Sequence, residues 1–353
     1  MVKPEVTGPR EIAGPPEIEG PLVEVAELEP PASGRRGRMI FAGLVLLVLL
    51  LVPALQPFVG FYSYMLQLGI VVLMWVAMTS SWNILGGYTG YISLGHNLFF
   101  GLGGYTSGLL LVHYGLSPFA TALLAGVVTM FIGLVAGLIT LRTRGPAFII
   151  STIALLLMTS LIMDNWDLVG GSNGMDLPLP EIPLTWLKVP FYYAMLVAAV
   201  GAVLLGYRVQ HSKLGLALRA IAQDEIKAEV AGIDTRRLKV LAFALSAYFP
   251  GVVGAIWGYN LTYLRPTIFF IIGVAAQVVL MVIIGGRGTV AGPVIGAALV
   301  VALNEVAITQ FGSTELNIVV TGVILIVVLL FFPLGIIGTL REKGKLPAVL
   351  DWD

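Results

Sequence analysis

The chain has 353 residues, of which 58% are hydrophobic and 11% charged, and its 20 basic and 20 acidic residues give a net charge of zero. Because soluble domains carry about 25% charged residues, this composition excludes an ordinary soluble fold and indicates a protein that has lipid as its solvent. The zero net charge argues against a nucleic-acid partner. The absence of cysteine excludes disulfides, thiolate catalysis and Cys-ligated metal sites.

The first segment, residues 1–38, is rich in proline and glutamate and shows no apolar period, so we predict a disordered tail. It ends in Arg35-Arg36-Gly37-Arg38 directly before the first apolar run, and such a basic flank keeps its end of a helix in the cytoplasm. A cleaved signal peptide is the alternative. The long tail, the long apolar run and the lack of a small-x-small cleavage site favour an anchor that stays.

Residues 39–340 are predicted to form an all-α, polytopic transmembrane domain, followed by a cytoplasmic tail at 341–353. No Asp, Glu, Lys or Arg occurs from Met39 to Leu141, which is long enough for several spans of about 20 residues each. Turn residues and charges divide the domain into ten predicted spans: 39–57, 61–85, 91–113, 118–141, 145–163, 189–207, 240–264, 266–286, 288–304 and 316–340. Eight or nine spans are also compatible with the sequence if 266–304 forms a re-entrant or broken pair.

Charge predicts the orientation of these spans. With the N-terminus in the cytoplasm and ten alternating spans, 18 of the 20 Lys and Arg residues fall inside, and only Lys188 and Arg265 fall outside. Such a split follows the positive-inside rule. The long outer loop, 164–188, is acidic. We therefore expect both termini in the cytoplasm.

The sequence contains no recognisable enzyme chemistry. No G-x-x-x-x-G-K-[ST] motif is present, so the chain has no phosphate-binding loop for ATP. His96, His113 and His211 lack the spacing of metal ligands, and no carboxylate pair lies within a span. Glu305, the one acid near a span, lies at the outer end of the ninth predicted span and is interpreted as interfacial. We predict no cofactor, no metal and no enzymatic activity, and expect the driving energy for any transport to enter through another subunit.

Residues 208–239 form the long cytoplasmic segment and contain seven Lys and Arg residues. Four apolar side chains fall on one face at helical spacing: Leu214, Leu218, Ile221 and Ala222. Gly232 follows as a helix stop signal. Such a helix can dock into a groove of a soluble partner or lie on the lipid surface, and the pattern alone does not decide between them.

This segment resembles the coupling loop of ABC importer permeases. It is similar to the form in branched-chain amino-acid permeases of the LivM branch, G-x-A-x-R-A-I-x-x-[DN]-E-x-x-A-E-x-x-G-I. The matching residues are Gly215, Ala217, Arg219, Ala220, Ile221, Asp224, Glu225, Ala228, Glu229, Gly232 and Ile233. Lys227 departs from the pattern, in which alanine is more usual.

Other stretches resemble motifs of the same family in the same order. They are Ser81–His96 with its continuation Phe99–Thr106, Leu141–Gly145, Gly170–Gly174, Ile284–Pro293 and Pro333–Gly338. The resemblance covers about residues 80–340 and leaves out the N-terminal tail. Gln277 stands where many relatives have glutamate, a difference that bears on substrate choice.

The resemblance implies a permease subunit of an ATP-binding-cassette importer that carries branched-chain or other hydrophobic amino acids across the cytoplasmic (inner) membrane. It implies a second permease subunit, two cytoplasmic ATP-binding subunits and an extracytoplasmic substrate-binding protein as partners. The residues expected to couple to the ATPase are Arg219, Asp224, Glu225, Glu229 and Gly232. A urea or short-chain amide importer is the alternative within transport, and a passive channel or a membrane-embedded enzyme is the alternative outside it.

Two glycine clusters interrupt apolar runs in the two halves of the chain. Glycine-interrupted spans at corresponding places indicate a binding path in transporters, whereas close helix packing is the simpler interpretation. The candidate path residues are Gly86, Gly87, Gly90, Ser93, His96, Asn97, Gln277, Gly285 and Gly286.

Overall fold

A computed structural model describes residues 32–54, 62–180, 182–183 and 186–311, with shorter stretches at 319, 322–323, 326–327, 330–332, 334–347 and 350–352. The helices are α1 (Ala32–Leu51), α2 (Tyr62–Gly86), α3 (Asn97–Tyr114), α4 (Pro118–Thr140), α5 (Pro146–Asp164), α6 (Lys188–Gln210), α7 (Lys213–Gln223), α8 (Glu225–Val230), α9 (Thr235–Leu261), α10 (Pro266–Phe269), α11 (Ile272–Gly285), α12 (Ala291–Phe311) and α13 (Gly335–Glu342). Two short strands, β1 (Met175–Asp176) and β2 (Tyr263–Leu264), pair in antiparallel fashion. The predicted all-α class is confirmed.

Eight helical stretches among the described residues are long and apolar enough to cross a bilayer, so the chain is a polytopic membrane protein. They are Gly37–Ala54, Tyr62–Gly86, Pro118–Thr140, Pro146–Asp164, Lys188–Gln210, Thr235–Leu261, Pro266–Gly285 and Ala291–Gln310. The predicted span 91–113 corresponds to α3, a buried helix whose glycines and polar ends reduce its mean hydropathy. The predicted span 316–340 lies largely outside the described residues.

Among the differences from the prediction, two concern α1 and the predicted span 266–286. Helix α1 begins at Ala32, inside the segment predicted as a tail, because a basic flank can continue a helix as readily as precede one. Residues 1–31 lie outside the described residues. The predicted span 266–286 is broken, since α10 ends at Phe269 and α11 begins at Ile272. This break matches the broken arrangement that the sequence left open for 266–304.

Helix α9 lies at the centre of the fold and packs against α2, α3, α4 and α6. It contains Pro250, which has no N–H group and so leaves the carbonyl of Ser246 without its helical donor. The Ser81 hydroxyl of α2 donates to that carbonyl over 3.0 Å. A side chain of a neighbouring helix therefore satisfies the backbone group that the proline frees, as a bilayer interior requires.

Glycines allow these helices to approach closely. A Cβ added at Gly254 of α9 would lie 1.9 Å from the Phe100 carbonyl oxygen of α3, and one added at Gly103 of α3 would lie 2.0 Å from the Gly251 carbonyl oxygen. The α11–α12 pair shows the same contact, with a Cβ at Gly285 falling 1.8 Å from the Gly292 oxygen. Small residues thus set the distance between helices, as they commonly do in membrane proteins.

One end of the fold, called here the basic end, collects cationic side chains and both described ends of the chain. Arg38 of α1 donates a hydrogen bond to the Asp351 carbonyl, and Arg341 pairs with the Asp351 carboxylate. The Trp352 ring lies 6.0 Å from the ring of Tyr207 near the end of α6. The two ends of the described chain therefore lie on the same side of the helix bundle.

A single methyl group tests the central packing. Gly254→Ala should destabilise the fold by about 1–3 kcal/mol, the usual cost of overpacking, because its Cβ would meet the Phe100 carbonyl. The midpoint of thermal unfolding in detergent should fall. Gly43→Ala is the matched control, since a Cβ there meets nothing within 4 Å. Equal midpoints for the two variants would contradict the α3–α9 packing.

Candidate coupling site

Between α6 and α9 the chain forms two short helices, α7 and α8, outside the candidate spans; residues 211–234 are called here the coupling hairpin. Side chains cap each helix start. The Ser212 hydroxyl accepts from Gly215 N, and Asp224 Oδ1 accepts from the backbone N–H groups of Ile226 and Lys227 at 3.0 and 3.1 Å. Gly232, at φ +85°, ends the turn after α8. The remainder of the predicted segment 208–239 belongs to α6 and α9.

The predicted apolar face of α7 packs against the membrane domain of the same chain. Leu218 and Ile221 are fully buried, and α7 contacts α6 and α9. Leu218 and Ile221 are thus covered by the same chain, and neither a partner's groove nor the lipid surface is needed to cover them. Helical periodicity shows that a face is covered, but the covering surface can belong to the same chain.

A second set of apolar side chains points away from the fold. Leu216, Ile226 and Val230 are 70%, 65% and 85% exposed. They are called here the apolar knobs. Ile226 and Val230 lie one turn apart on α8, so they share a face. Sequence reasoning missed these residues because it sought a single stripe along α7, although the i, i+4 spacing on α8 was visible.

Glu225, the first residue of α8, joins three parts of the membrane domain. Its Oε1 accepts from Lys239 Nζ of α9 over 2.6 Å, and its Oε2 accepts from the Tyr91 hydroxyl over 2.5 Å. Arg144, between α4 and α5, lies 3.2 Å from Glu225 Oε1. Lys239 Nζ also donates to the Tyr91 hydroxyl over 3.0 Å. These four residues are called here the ion cluster.

The environment of the Glu225 carboxylate keeps it ionised. Burial acts to raise its pKa, but the hydrogen bonds from Lys239 and Tyr91 and the nearby charges of Lys239 and Arg144 outweigh burial, so the pKa lies below its ordinary value. The Asp224 pKa is also lowered, first by the backbone N–H of Lys227. Glu225 therefore has a negative charge at neutral pH, matched by the cations around it.

The five residues predicted to couple to the ATPase have different positions. Glu225 faces the membrane domain of its own chain, where it pairs with Lys239 and Arg144. Arg219 donates to the Gln210 carbonyl at the end of α6 over 2.7 Å. Glu229 accepts from Thr235 and pairs with Arg144. Asp224 caps α8, and Gly232 has open space around it.

The two glycine clusters predicted as a path meet in the structure. A residue that sequence reasoning missed, Asn83, connects them: its Nδ2 donates to the Thr289 carbonyl over 2.9 Å, and its Oδ1 accepts from Gly288 N over 3.0 Å. Gly87 lies directly on the Asn83 side chain. Gly86 and Gly285 are also closely packed, since an added Cβ would lie 2.2 Å from the Trp82 ring and 1.8 Å from the Gly292 oxygen, respectively.

The remaining path candidates surround the irregular connection between α2 and α3, residues 87–96. Ser93 and His96 are buried within it, and His96 Nε2 lies 2.8 Å from the Ser246 hydroxyl of α9. Gly90 adopts φ +80° beside Ala222 of the coupling hairpin. Asn97 begins α3, and Gln277 is half-exposed on α11.

A metal centre is not formed by the described part of the chain, in which no group of three or more His, Asp or Glu side chains is placed to bind an ion. The chemistry available at the basic end consists of a buried ion cluster, capped short helices and exposed apolar side chains.

Comparison with known proteins finds one family whose match includes both the helix bundle and the coupling hairpin. The family model described as "Branched-chain amino acid transport system / permease component" matches residues 64–329. The high-affinity branched-chain amino acid transport system permease protein LivM of Escherichia coli (strain K12) is 26% identical over 338 residues, covering 88% of this chain and 78% of LivM. The corresponding protein LivH of Salmonella typhimurium is 30% identical over 182 residues, 51% of this chain and 55% of LivH.

The ribose import permease protein RbsC of Haemophilus influenzae is 26% identical over 184 residues, 49% of this chain and 56% of RbsC. No solved structure matches the chain. The family match includes α3, α9, the whole coupling hairpin and the ion cluster. Because it extends over most of the chain, this protein belongs to the family of permease components of branched-chain amino acid transport systems.

Proposed function

We propose that the chain is the membrane-spanning permease subunit of an ATP-driven importer of branched-chain amino acids, located in the cytoplasmic membrane. The observation that carries the proposal is the family match over residues 64–329. A permease of this kind needs a site that receives force from an ATPase, since the chain has no phosphate-binding loop of its own. The coupling hairpin supplies a surface suited to that contact.

The apolar knobs are the proposed contact with the ATPase. Three large apolar side chains that are 65–85% exposed on a non-spanning segment favour a covering surface. An amphipathic helix commonly binds by laying such side chains into a groove. Arg219 lies on the same hairpin and is also exposed. When the ATPases close on ATP, their movement would thus reach α7 and α8 first.

A second, related permease subunit would complete the membrane domain. Similarity to both LivM and LivH supports a pairing of two such chains. The break between α10 and α11 also favours a neighbour. Asn97 Nδ2 donates to the carbonyls of Phe269 and Ile271 across the break, but the first N–H groups of α11 have no acceptor among the described residues.

These free N–H groups lie six residues inside the apolar stretch Pro266–Gly285, next to the exposed Ile271 and Gly273. Lipid cannot satisfy them. We therefore place the translocation path along this face of α11, with Gln277 on its wall and the second permease opposite. A substrate-binding protein would dock on the outer side, near β1 and β2.

Substrate and energy source are tested together. The complex copurified with this chain, reconstituted in liposomes with its binding protein, should accumulate radiolabelled leucine only when ATP is present on the ATPase side. Excess unlabelled valine should compete, and urea should not. Competition by urea, or leucine uptake driven by a proton gradient without ATP, would contradict the proposal.

Orientation is tested with single cysteines, since the chain contains none. We propose that the basic end faces the cytoplasm, because 18 of 20 Lys and Arg residues lie on one side of the predicted topology. Leu179→Cys, 69% exposed in the long outer loop, should react with an impermeant maleimide in intact cells. Gln223→Cys on α7 should react only after permeabilisation. The opposite pattern would reverse the topology.

The docking surface is tested by charge. The double variant Ile226→Glu/Val230→Glu should reduce recovery of the ATPase subunits by about tenfold or more, because an unpaired carboxylate buried in an apolar groove costs more than about 1.4 kcal/mol. Neither residue is buried, so abundance in the membrane should be normal. Leu179→Glu is the control, an equally exposed apolar position on the outer side. Unchanged recovery would show that the apolar knobs are not the contact.

A further inference from the structure

The Glu225 carboxylate is the point where the coupling hairpin is fastened to the membrane domain. It is the first residue of α8, directly after the cap Asp224 and one position before the exposed Ile226. Because neighbouring residues of one short helix move together, a displacement of Ile226 by a partner displaces Glu225 as well. The ion cluster is thus the first structure inside the chain to receive that displacement.

Lys239 is the buried charge of the ion cluster. The residue is 2% exposed, and its ion partner within the described chain is Glu225. The ammonium group also lies 4.4 Å from the centroid of the Tyr91 ring. A buried ammonium needs a partner close by, and removing one member of a buried pair is strongly unfavourable. Lys239 and Glu225 are therefore expected to move as one unit.

Tyr91 extends the cluster into the irregular connection 87–96. Two hydrogen bonds then connect this segment to spans: Trp82 Nε1 donates to the Ser93 carbonyl over 2.8 Å, and Leu94 N donates to the Thr152 hydroxyl of α5 over 3.2 Å. The connection continues into His96, which contacts Ser246 of α9. A shift of Tyr91 thus reaches α2, α5 and α9 through named contacts.

We propose that Glu225, Lys239 and Tyr91 are positioning residues that transmit movement of the coupling hairpin to the α2–α3 connection, so that ATP use is linked to opening of the path. The link to ATP use and to the path rests on the proposed function. The physical link itself, from α8 to the connection, stands on the geometry alone. Arg144, at 55% exposure, supports the cluster from its solvent side.

A purely structural role of the ion cluster predicts different transport and ATP hydrolysis from a role in transmitting movement. If the ion cluster only holds the fold together, its loss lowers stability, and transport and ATP hydrolysis fall in proportion. If the cluster transmits movement, its loss leaves an assembled complex that hydrolyses ATP without moving substrate. The ratio of substrate moved to ATP hydrolysed separates the two cases, because this ratio is independent of how much folded complex is present.

Two variants remove the link without leaving a buried charge unpaired. Tyr91→Phe deletes the hydroxyl alone, and Glu225→Gln/Lys239→Met deletes both charges while approximately keeping volume. Glu342→Gln, an exposed carboxylate on α13, is the control with the same chemical change. In proteoliposomes containing the copurified complex, leucine moved per ATP hydrolysed should fall about fivefold or more in both test variants, within the usual range of site-to-site coupling. The control should match the unmodified chain.

Amide hydrogen exchange supplies a readout that does not depend on the substrate. Adding a non-hydrolysable ATP analogue to the assembled complex should change exchange in residues 88–95 of the unmodified chain and of Glu342→Gln, and not in the two test variants. The proposal would be overturned if Tyr91→Phe and the double variant moved as much leucine per ATP as the unmodified chain and showed the same exchange response to the analogue. If the double variant does not assemble, Tyr91→Phe alone decides.

The two hypotheses fail in different ways. Absence of leucine uptake by the unmodified complex would refute the proposed function, whereas the exchange response would still report whether the hairpin acts on the connection. Normal uptake by the unmodified complex together with unaltered coupling in the variants would refute only the role of the ion cluster.

Discussion

A bilayer interior offers no hydrogen bonds, so each interruption of a helix must be satisfied by the protein itself. Three interruptions in this fold are treated in the same way. Ser81 takes the carbonyl freed by Pro250, Asn97 bridges the break between α10 and α11, and Asn83 connects the turn at 288–289 to α2. At each place one polar side chain satisfies part of the irregular backbone, and at the break before α11 the first N–H groups still lack an acceptor among the described residues.

The ion cluster fits this arrangement because it lies beside another interruption, the connection 87–96. The coupling hairpin contacts this connection through Tyr91 and through Ala222 at Gly90. A displacement applied to a continuous helix would move the whole helix. A displacement applied to an irregular segment can change the backbone conformation locally. The hairpin therefore contacts the membrane domain at an irregular segment between two helices.

The spans and the coupling segment could be predicted because both depend on local patterns: runs without charge, turn residues and a short amphipathic period. The orientation of the Glu225 side chain could not be predicted. It depends on contacts with Lys239 and Tyr91, and no local sequence pattern marks these residues as its partners. Asn83 was missed for the same reason, since an amide within an apolar run has no distinguishing neighbours. The apolar knobs were missed because the longer apolar stripe of α7, which packs inward, was taken as the only apolar face of this segment.

The order of the ion cluster along the chain bears on how the protein is made. Tyr91 and Glu225 both precede Lys239, so each partner of the buried ammonium has been synthesised before the lysine emerges from the ribosome. An unpaired buried ammonium is strongly unfavourable, and Lys239 is buried. Here the carboxylate that neutralises it lies in the segment made just before, and α9 can enter the bundle as soon as α8 has formed. Burial of Lys239 in the central helix therefore depends on the hairpin that precedes it.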